Sequence, residues 1–271
     1  MPELPEVETT RRGIEPWLQG HAVTQVIIRQ PKLRWPVPES VGALQGQVVR
    51  ELTRRGKYIL LHTDVGVGLI HLGMSGSLRI VDTDLAPRKH DHFDLVLDSG
   101  KVVRYHDPRR FGAFLWVEGD PLQHAFLRDL GPEPLSDAFD GDYLFAQSRQ
   151  RTVSVKVFIM NAHIVVGVGN IYANEALFSA GIDPRCAAGS ISRERYVQLA
   201  QAIRQILTYA IECGGTTLRD FVREDGSPGY FKLELIKVYG RTGLACVSCQ
   251  NPIIQITQGQ RSTWFCPVCQ I

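Results

Sequence analysis

Four cysteines near the end of the chain constrain its fold more than any other feature of the sequence. Cys246 and Cys249 form one Cys-x-x-Cys pair, and Cys266 and Cys269 form a second pair after sixteen intervening residues. Two pairs at this spacing are typical of a zinc ribbon, in which four thiolates surround one Zn²⁺ ion. Because cysteine fills all four ligand positions, no coordination site is open for catalysis, and the predicted zinc ion is structural.

The residues between the two cysteine pairs predict a β-hairpin. Segments 253–257 and 262–265 contain the β-branched and aromatic residues that strands favour. Residues 258–261 form the predicted tip, so Arg261 stands on a rigid hairpin. The two remaining cysteines fit no ligand spacing and are interpreted as ordinary buried thiols: Cys186 and Cys213.

The first half of the chain predicts one helix followed by short strands. Apolar residues recur at helical spacing over residues 4–19, where Pro5 suits the first turn and Gly20 suits the end. The period then changes to two in eight short segments, which are 22–30, 47–52, 57–63, 67–72, 77–81, 92–97, 101–106 and 113–117. Eight short strands indicate a β-sandwich or barrel, with the helix packed on the sheet edges.

From about residue 120 the sequence becomes helical. Residues 121–130 and 142–150 predict short helices, and a long helix from Ser192 ends at the glycine pair 214–215. The run Gly-Val-Gly at 167–169 stands ahead of a further helix. Its free backbone N–H groups lie at the positive end of that helix, an arrangement that can bind a phosphate group.

Two glycine-flanked loops among the strands carry side chains unlike those of core strands. Met74 lies in one of them, and Arg109 and Phe111 lie in the other. Together these three side chains would make a wedge that fills a gap in a base stack, with a guanidinium that reads a base edge. Equally, Met74 and Phe111 can be core residues and Arg109 a surface charge, so both interpretations stay open.

The opening Met-Pro-Glu offers an unusual nucleophile. Initiator methionine is usually removed ahead of a small residue, so we expect the mature chain to begin with the secondary amine of Pro2. An α-amino group titrates near pH 8, well below lysine, and an imine of a secondary amine is a permanent cation that acts as an electron sink. Glu3 lies beside the amine and can serve as general acid or base. The simpler interpretation is a plain chain start in which Pro5 opens the helix.

Charge and hydropathy narrow the setting in which the chain works. The formal net charge of +2 alone says little about a polyanionic partner. Basic residues nevertheless cluster in the first half, at Arg11-Arg12, Arg54-Arg55-Lys57, Arg88-Lys89 and Arg109-Arg110, although each cluster also suits a solvated surface. No signal-peptide pattern and no long apolar stretch is present, so we expect a cytoplasmic protein that does not contact membranes.

Several motifs together resemble those of the formamidopyrimidine-DNA glycosylase family, in the same order along the whole chain. They are Pro2-Glu3-Leu4-Pro5-Glu6-Val7-Glu8, Lys57-Tyr58, His71-Leu72-Gly73-Met74-Ser75-Gly76, Asp107-Pro108-Arg109-Arg110-Phe111-Gly112, Gly167-Val168-Gly169-Asn170-Ile171-Tyr172 and the four-cysteine ribbon. Leu4 favours this family over endonuclease VIII, which usually has glycine at that position. Gln250 departs from the family pattern, because glycine usually follows the second cysteine.

The resemblance implies an α+β fold in three parts. These are an N-terminal β-sandwich with an N-terminal helix over residues 1–132, a helix-two-turns-helix domain over 133–240 and a zinc finger over 241–271. It also implies a bacterial-type monomer that holds duplex DNA in a cleft between its lobes and associates with the nucleoid when bound. The implied substrates are oxidised purines, 8-oxoguanine and formamidopyrimidines, which are released before the strand is cut by β,δ-elimination.

The resemblance also implies roles for individual residues. Pro2 attacks C1′, and Glu3 transfers a proton at the sugar ring. Lys57 donates a proton to the departing 3′ phosphate, and Arg261 donates one to the departing 5′ phosphate. Glu6 lines the base pocket, and residues 217–230 form a loop that closes over the flipped base. The implied wedge comprises Met74, Arg109 and Phe111, with Arg109 facing the orphaned cytosine. The implied DNA-binding residues are His71, His90, Arg109, Arg151, Asn170 and Tyr239.

Three other functions are compatible with parts of this pattern. An endonuclease VIII-like glycosylase would act on oxidised pyrimidines. A non-catalytic zinc-ribbon DNA-binding protein would be indifferent to Pro2→Gly. A tautomerase-like enzyme would use Pro2 as a base but would have no use for a zinc ribbon or a wedge.

Overall fold

The computed structural model describes residues 2–215 and 236–271. The loop expected to close over a flipped base, residues 217–230, lies outside these ranges. The described residues form two compact units, which we call the first unit (2–128 and 213–215) and the second unit (129–212 and 236–271). Among them, no helix is both long enough and apolar enough to cross a membrane.

The first unit begins with helix α1, Leu4–Leu18. Pro5 lies in its first turn, and the Glu6 carboxylate accepts a hydrogen bond from the Glu3 N–H at 2.8 Å, which satisfies a donor that the helix itself leaves unpaired. Gly20 follows the helix with φ 83°, a left-handed conformation that glycine adopts without strain. The predicted helix is therefore confirmed, and its end lies one residue earlier than expected.

Eight strands follow and form two antiparallel four-stranded sheets with orders β1-β6-β7-β5 and β2-β3-β4-β8. They are β1 Val23–Ile28, β2 Glu51–Arg55, β3 Tyr58–His62, β4 Val67–His71, β5 Ser77–Asp82, β6 Asp91–Leu97, β7 Lys101–His106 and β8 Ala113–Val117. The strand expected at 47–52 is displaced to β2. Val48 makes only an isolated bridge with Ala22, and the buried Val49 does not join the ladder either.

The two sheets pack face to face, as the sandwich prediction requires. Phe93 of β6 stacks on Phe114 of β8 in the opposite sheet, with ring centroids 4.6 Å apart. The same core includes Ile14 and Leu18 of α1, which are fully buried. Burying side chains of this size contributes about 1.5–3 kcal/mol each, so the helix is held by its apolar face.

The prediction of a helix at residues 121–130 is wrong. Only Pro121–Gln123 form a single 3₁₀ turn. The Asp120 carboxylate accepts the Leu122 N–H at 2.9 Å, and the His124 ring accepts the Phe126 N–H at 3.3 Å. These local side-chain bonds give the backbone an alternative to helical pairing, so the apolar residues here do not continue into a helix.

Within its described residues, the second unit contains four α-helices and one hairpin. They are α2 Gly141–Ser148, α3 Val155–Ile159, α4 Asn170–Ser179, α5 Arg193–Glu212, β9 Ile254–Gln258 and β10 Arg261–Phe265. In the hairpin turn, Gly259 and Gln260 have φ values of 53° and 60°, the pattern of a type I′ turn. Arg261 is thus the first residue of β10, paired with Gln258, and not part of the tip as expected.

Candidate active site and metal centre

The N-terminus of α1 places carboxylates beside Pro2. Pro2 is buried, and Glu3 and Glu6 are only 2% and 1% exposed. The two acids cap the helix reciprocally, because the Glu3 carboxylate accepts the Glu6 N–H and the Glu6 carboxylate accepts the Glu3 N–H. Glu3 is also the residue next to the Pro2 nitrogen. That capping role of Glu6 was missed in the sequence.

Lys57 lies at the tip of the β2–β3 hairpin. Its neighbour Gly56 has φ 57°, which lets Arg55 pair with Tyr58 across a two-residue turn. Lys57 is partly exposed there. Tyr58 in turn pairs with His71 of β4, with ring centroids 4.7 Å apart. The register of three strands thus brings Lys57 and His71 to the same end of one sheet.

His71 is held as a neutral hydrogen-bond donor. Burial and the positive charges of Lys57 and Arg34 lower the pKa of His71 to about 4. Its Nδ1 accepts the Gly73 N–H at 3.0 Å, so the single proton of the neutral ring resides on Nε2. A neutral imidazole in this tautomer can donate one hydrogen bond to an anionic oxygen.

The loops 72–76 and 107–112, which we call the wedge loops, touch through their backbones. A Cβ on Gly73 would lie 2.4 Å from the carbonyl carbon of Phe111, so only glycine permits this approach. The Arg109 guanidinium lies 4.9 Å from the centroid of the Phe111 ring, and Phe111 is 38% exposed. Met74 is half-buried in the other loop. An exposed aromatic ring under a guanidinium does not fill a core, which favours the wedge interpretation.

His90 adjoins the second wedge loop. It is half-buried, and its carbonyl oxygen accepts the Asp107 N–H at 3.0 Å. Six of the predicted site residues therefore lie within the first unit around these loops and the β2–β3 hairpin: Lys57, His71, Met74, His90, Arg109 and Phe111.

In the second unit, α3 and α4 hold the hairpin that presents Arg261. Lys156 of α3 is fully buried, and its Nζ donates to the Ser262 carbonyl at 2.9 Å and to the Thr263 hydroxyl at 2.7 Å. Asn170, at the start of α4, donates from its side chain to the same Ser262 carbonyl at 3.0 Å. Arg261 itself is exposed. The lysine was missed in the sequence, because its partners are more than a hundred residues away.

Arg261 and Arg151 line one cavity of about 360 Å³ in the second unit. The buried Lys156 and the side chain of Asn161 line it as well. Three cationic residues that line one cavity suit an anionic group, and the N-terminus of α4 carries Asn170 beside the same hairpin.

We expect Lys156→Met to lower the free energy of unfolding of the second unit by about 1–3 kcal/mol, because two acceptors on the hairpin lose a charged donor. Urea denaturation, with the release of zinc as the signal, measures this free energy. Lys237→Met is the matched control, since that side chain is exposed and only its main chain is bonded to Glu175; its effect should stay within about 0.5 kcal/mol. Equal midpoints for both variants would contradict the assigned role.

Tyr239 is fixed from two directions. The buried Glu175 carboxylate of α4 accepts its N–H at 2.8 Å and those of Lys237 and Val238 at 2.9 and 3.0 Å. The Tyr239 ring lies 4.5 Å from the Trp264 ring of β10. Burial raises the pKa of Glu175 above its ordinary value, although the three N–H donors favour the carboxylate. Glu175 is a further residue that sequence patterns did not reveal.

The four ribbon cysteines form a metal site. Their sulfur atoms all lie within 4.8 Å of one another, with Cys246 and Cys269 3.8 Å apart and Cys249 and Cys266 3.4 Å apart. A tetrahedral ion with metal–sulfur bonds of about 2.3 Å needs sulfur separations of roughly 3.8 Å, so the four residues fit one ion. Gln250 adopts φ 65° after the first pair, the conformation that glycine would take there without strain.

Comparison with known proteins agrees along the whole chain. Three family models match: formamidopyrimidine-DNA glycosylase N-terminal domain at residues 1–114, formamidopyrimidine-DNA glycosylase H2TH domain at 130–222, and zinc finger found in FPG and IleRS at 243–271. Proteins named formamidopyrimidine-DNA glycosylase from Thioalkalivibrio sulfidiphilus and Photobacterium profundum are 60% and 56% identical, each over 100% of both chains.

Solved structures agree as well. The MutM (Fpg) protein from Thermus thermophilus is 38% identical with a TM-score of 0.89, covering 99% of this chain and 98% of that chain. Lactococcus lactis Fpg in complex with DNA containing an abasic site is 31% identical with a TM-score of 0.91, covering 99% of each chain. Both likenesses extend over the sandwich, the helices and the cysteine hairpin. The chain therefore belongs to the formamidopyrimidine-DNA glycosylase family.

Proposed function

We propose that this chain excises 8-oxoguanine and formamidopyrimidines from duplex DNA through a Schiff base on Pro2 and then cleaves the strand on both sides of the abasic sugar. The family is one of glycosylases that also act as lyases at abasic sites. A related Lactococcus lactis enzyme has been solved with DNA containing Fapy-dG. The observation that carries the residue-level proposal is the buried Glu3 carboxylate beside Pro2 at the start of α1.

The first steps belong to Pro2 and Glu3. The lone pair of the Pro2 amine forms a bond to C1′ of the lesion and the glycosidic bond breaks. The base leaves with the bonding electrons and takes up a proton, which balances the one that the Pro2 nitrogen loses. Glu3 moves a proton at the sugar ring, which opens to give the iminium. Loss of a C2′ proton leaves the electrons of its bond to flow into this electron sink, and the resulting enamine expels the 3′ phosphate, to which Lys57 donates a proton. A second elimination expels the 5′ phosphate with Arg261 as proton donor.

In this proposal, Lys57 and the other predicted site residues of both units contact DNA. The phosphate contacts are assigned to Lys57, His71, Asn170 and Tyr239, and the neutral His71 Nε2–H and the α4 N-terminus suit that task. Met74, Arg109 and Phe111 fill the space of the flipped base, with Arg109 facing the opposite cytosine. His90 and Arg151 contribute further DNA contacts, and Glu6 supports the base pocket. The monomeric state and the nucleoid-associated cytoplasmic location stay predictions from the resemblance.

The metal ion is assigned as a single Zn²⁺ because tetrahedral four-thiolate sites at this spacing favour zinc. Its four ligands would be the ribbon cysteines, and its contribution is to fold the hairpin. The ion then affects the position of the Arg261 side chain only by fixing the backbone of the hairpin.

Substrate class separates this proposal from the endonuclease VIII-like alternative. We expect base release from a duplex with one 8-oxoguanine to be faster than from the same duplex with one 5-hydroxyuracil. Single-turnover rates at saturating enzyme measure this directly. Faster release of the oxidised pyrimidine would support the alternative.

Arg261→Ala should separate the two eliminations. Base release and 3′-side cleavage should continue at saturating enzyme, because Pro2, Glu3 and Lys57 are unchanged. The second cleavage should slow by about 10²-fold or more for the loss of a proton donor, so that a sugar fragment remains on the upstream end. Gel resolution of the two product ends measures the ratio.

The matched control for this variant is Arg193→Ala. Arg193 is an exposed arginine of α5 paired with Asp142, so the variant removes one positive charge from the same unit. It should leave the ratio of product ends unchanged. An unchanged ratio in Arg261→Ala as well would mean that Arg261 only positions the DNA.

A further inference from the structure

One buried carboxylate holds both wedge loops. Asp107 is fully buried. Its Oδ1 accepts the Ser75 hydroxyl at 2.7 Å and the Arg109 N–H at 3.2 Å, and its Oδ2 accepts the Tyr105 hydroxyl at 2.9 Å and the Gly112 N–H at 3.0 Å. Ser75 belongs to the first wedge loop, and Arg109 and Gly112 belong to the second. A single side chain therefore ties the two loops together.

Steric contacts around the carboxylate leave these loops little freedom. A Cβ on Gly112 would lie 1.8 Å from the Tyr105 hydroxyl oxygen, and a Cβ on Gly76 would lie 2.1 Å from the Leu72 carbonyl oxygen. Arg110 adopts φ 56°, which costs energy for a residue other than glycine, and its N–H donates to the Asp107 carbonyl at 3.2 Å. The backbone beside Arg109 is thus held in an unfavourable conformation by contacts that begin at Asp107.

We infer that Asp107 is a positioning residue that sets the preference for the base opposite the lesion, acting through the backbone of Arg109. The inference rests on the proposed function, in which Arg109 faces the opposite cytosine. Discrimination between bases by a guanidinium depends on hydrogen-bond geometry, so the donor must stand in one place. Asp107 does not touch DNA in this account; it fixes the main chain from which Arg109 extends.

The variant Asp107→Asn tests this inference, because asparagine has nearly the same shape as aspartate but only one acceptor oxygen. In either orientation, its NH₂ group faces one hydroxyl and one main-chain N–H. The hydroxyl of Ser75 or Tyr105 can rotate to accept a hydrogen bond. The main-chain N–H of Arg109 or Gly112 cannot, so Asp107→Asn loses one of the two bonds from the carboxylate to the main chain of the second wedge loop. The Arg109 N–H also donates to the Ser75 hydroxyl at 3.3 Å, which is a second link between the two loops.

The experiment compares single-turnover excision of 8-oxoguanine opposite cytosine and opposite adenine. Arg109→Ala should lower the cytosine preference by about tenfold or more, the scale of one base contact. Asp107→Asn should lower it by at least about threefold, the scale of one hydrogen bond. Its lyase rate on a single-stranded abasic oligonucleotide, which has no opposite base, should stay within about twofold of the wild type.

The matched control is Asp94→Asn. Asp94 is a carboxylate of the same sandwich and is 2% exposed. Within the part of the chain that the structure describes, its carboxylate accepts hydrogen bonds from Arg29 and Arg104. This variant should leave the cytosine preference unchanged whatever it does to stability. If Asp107→Asn does not fold, Ser75→Ala provides the second test, because it removes one donor to Oδ1 and the hydroxyl that accepts the Arg109 N–H at 3.3 Å. It should lower the preference by about twofold.

The outcomes separate the inference from the proposed function. A reduced preference in Arg109→Ala with an unchanged preference in folded Asp107→Asn, or in Ser75→Ala where the first variant does not fold, would overturn the inference alone. An equal reduction in Asp94→Asn would overturn it too, because the effect would then be general destabilisation. An unchanged preference in Arg109→Ala would overturn the wedge assignment itself and the inference with it.

Discussion

Replacing Glu3 with glutamine is expected to lower the rate of base release by about 10²–10⁴-fold, the usual contribution of a positioned acid–base group. Glutamine has nearly the same shape as glutamate, and its side-chain oxygen can still accept a hydrogen bond at the start of α1. The Glu3 N–H keeps its bond to the Glu6 carboxylate. The variant therefore removes a proton-transfer group and leaves the helix terminus folded.

Two other acids on the same helix show why Glu3 is the residue to test. Glu8 is also buried, but its carboxylate is bonded to Arg11, Arg12 and Arg54. Burial opposes its ionisation, yet those arginines prevail and hold the pKa of Glu8 below its ordinary value. Glu15→Gln is the matched control, since Glu15 lies far from Pro2 along the helix and pairs with Arg11.

Single-turnover base release from a duplex with one 8-oxoguanine measures the loss. We expect Glu15→Gln to stay within about threefold of the wild-type rate, because it touches no reacting group. A Glu3→Gln rate in that same range, with an unchanged circular dichroism spectrum, would remove Glu3 from the mechanism.

Removing the metal ion is expected to unfold the cysteine hairpin and to reduce the affinity for lesion DNA by at least about 10²-fold. Structural zinc contributes an apparent 10–16 kcal/mol, roughly, to the folding of small four-ligand domains. The hairpin has little core of its own, since β9 and β10 are five residues each and their buried partners are few. Without the ion, Arg261 would no longer stand on a fixed strand.

Dialysis against a strong chelator followed by binding to a lesion duplex tests this, and added Zn²⁺ should restore binding. Cys266→Ala should behave like the metal-depleted protein. Cys186→Ala is its control, because that thiol lies outside the metal site. Full affinity of the metal-depleted protein would contradict the structural role of the ion.

The elements that the sequence predicted correctly depend on short-range patterns. The cysteine pairs form a metal site because ligand spacing is a local property, and α1 begins and ends near Pro5 and Gly20 because these residues favour those positions. The prediction of a helix at 121–130 was wrong because the side chains of Asp120 and His124 accept hydrogen bonds from nearby backbone N–H groups. Propensity alone does not detect such competition.

The residues that support the site were harder to predict, because their partners are far away in the sequence. Asp107 bonds Ser75 across 32 positions, Glu175 bonds Tyr239 across 64, and Lys156 bonds Thr263 across 107. Pro2 and Glu3 were accessible from chemistry, since a proline amine next to an acid suggests its own reaction, whereas the roles of Lys57 and Arg261 came from the family resemblance. Sequence patterns did not reveal the buried groups that hold the loops and the hairpin on which the predicted site residues lie.

Borohydride trapping tests the central claim, that Pro2 is the nucleophile, most directly. The reductant converts an iminium between protein and sugar into a stable amine, so wild-type protein on a duplex with one 8-oxoguanine should yield a covalent protein–DNA adduct. Peptide mapping should assign the cross-linked sugar to the nitrogen of Pro2. Strand cleavage without any trapped adduct, or an adduct mapped to Lys57, would contradict the account.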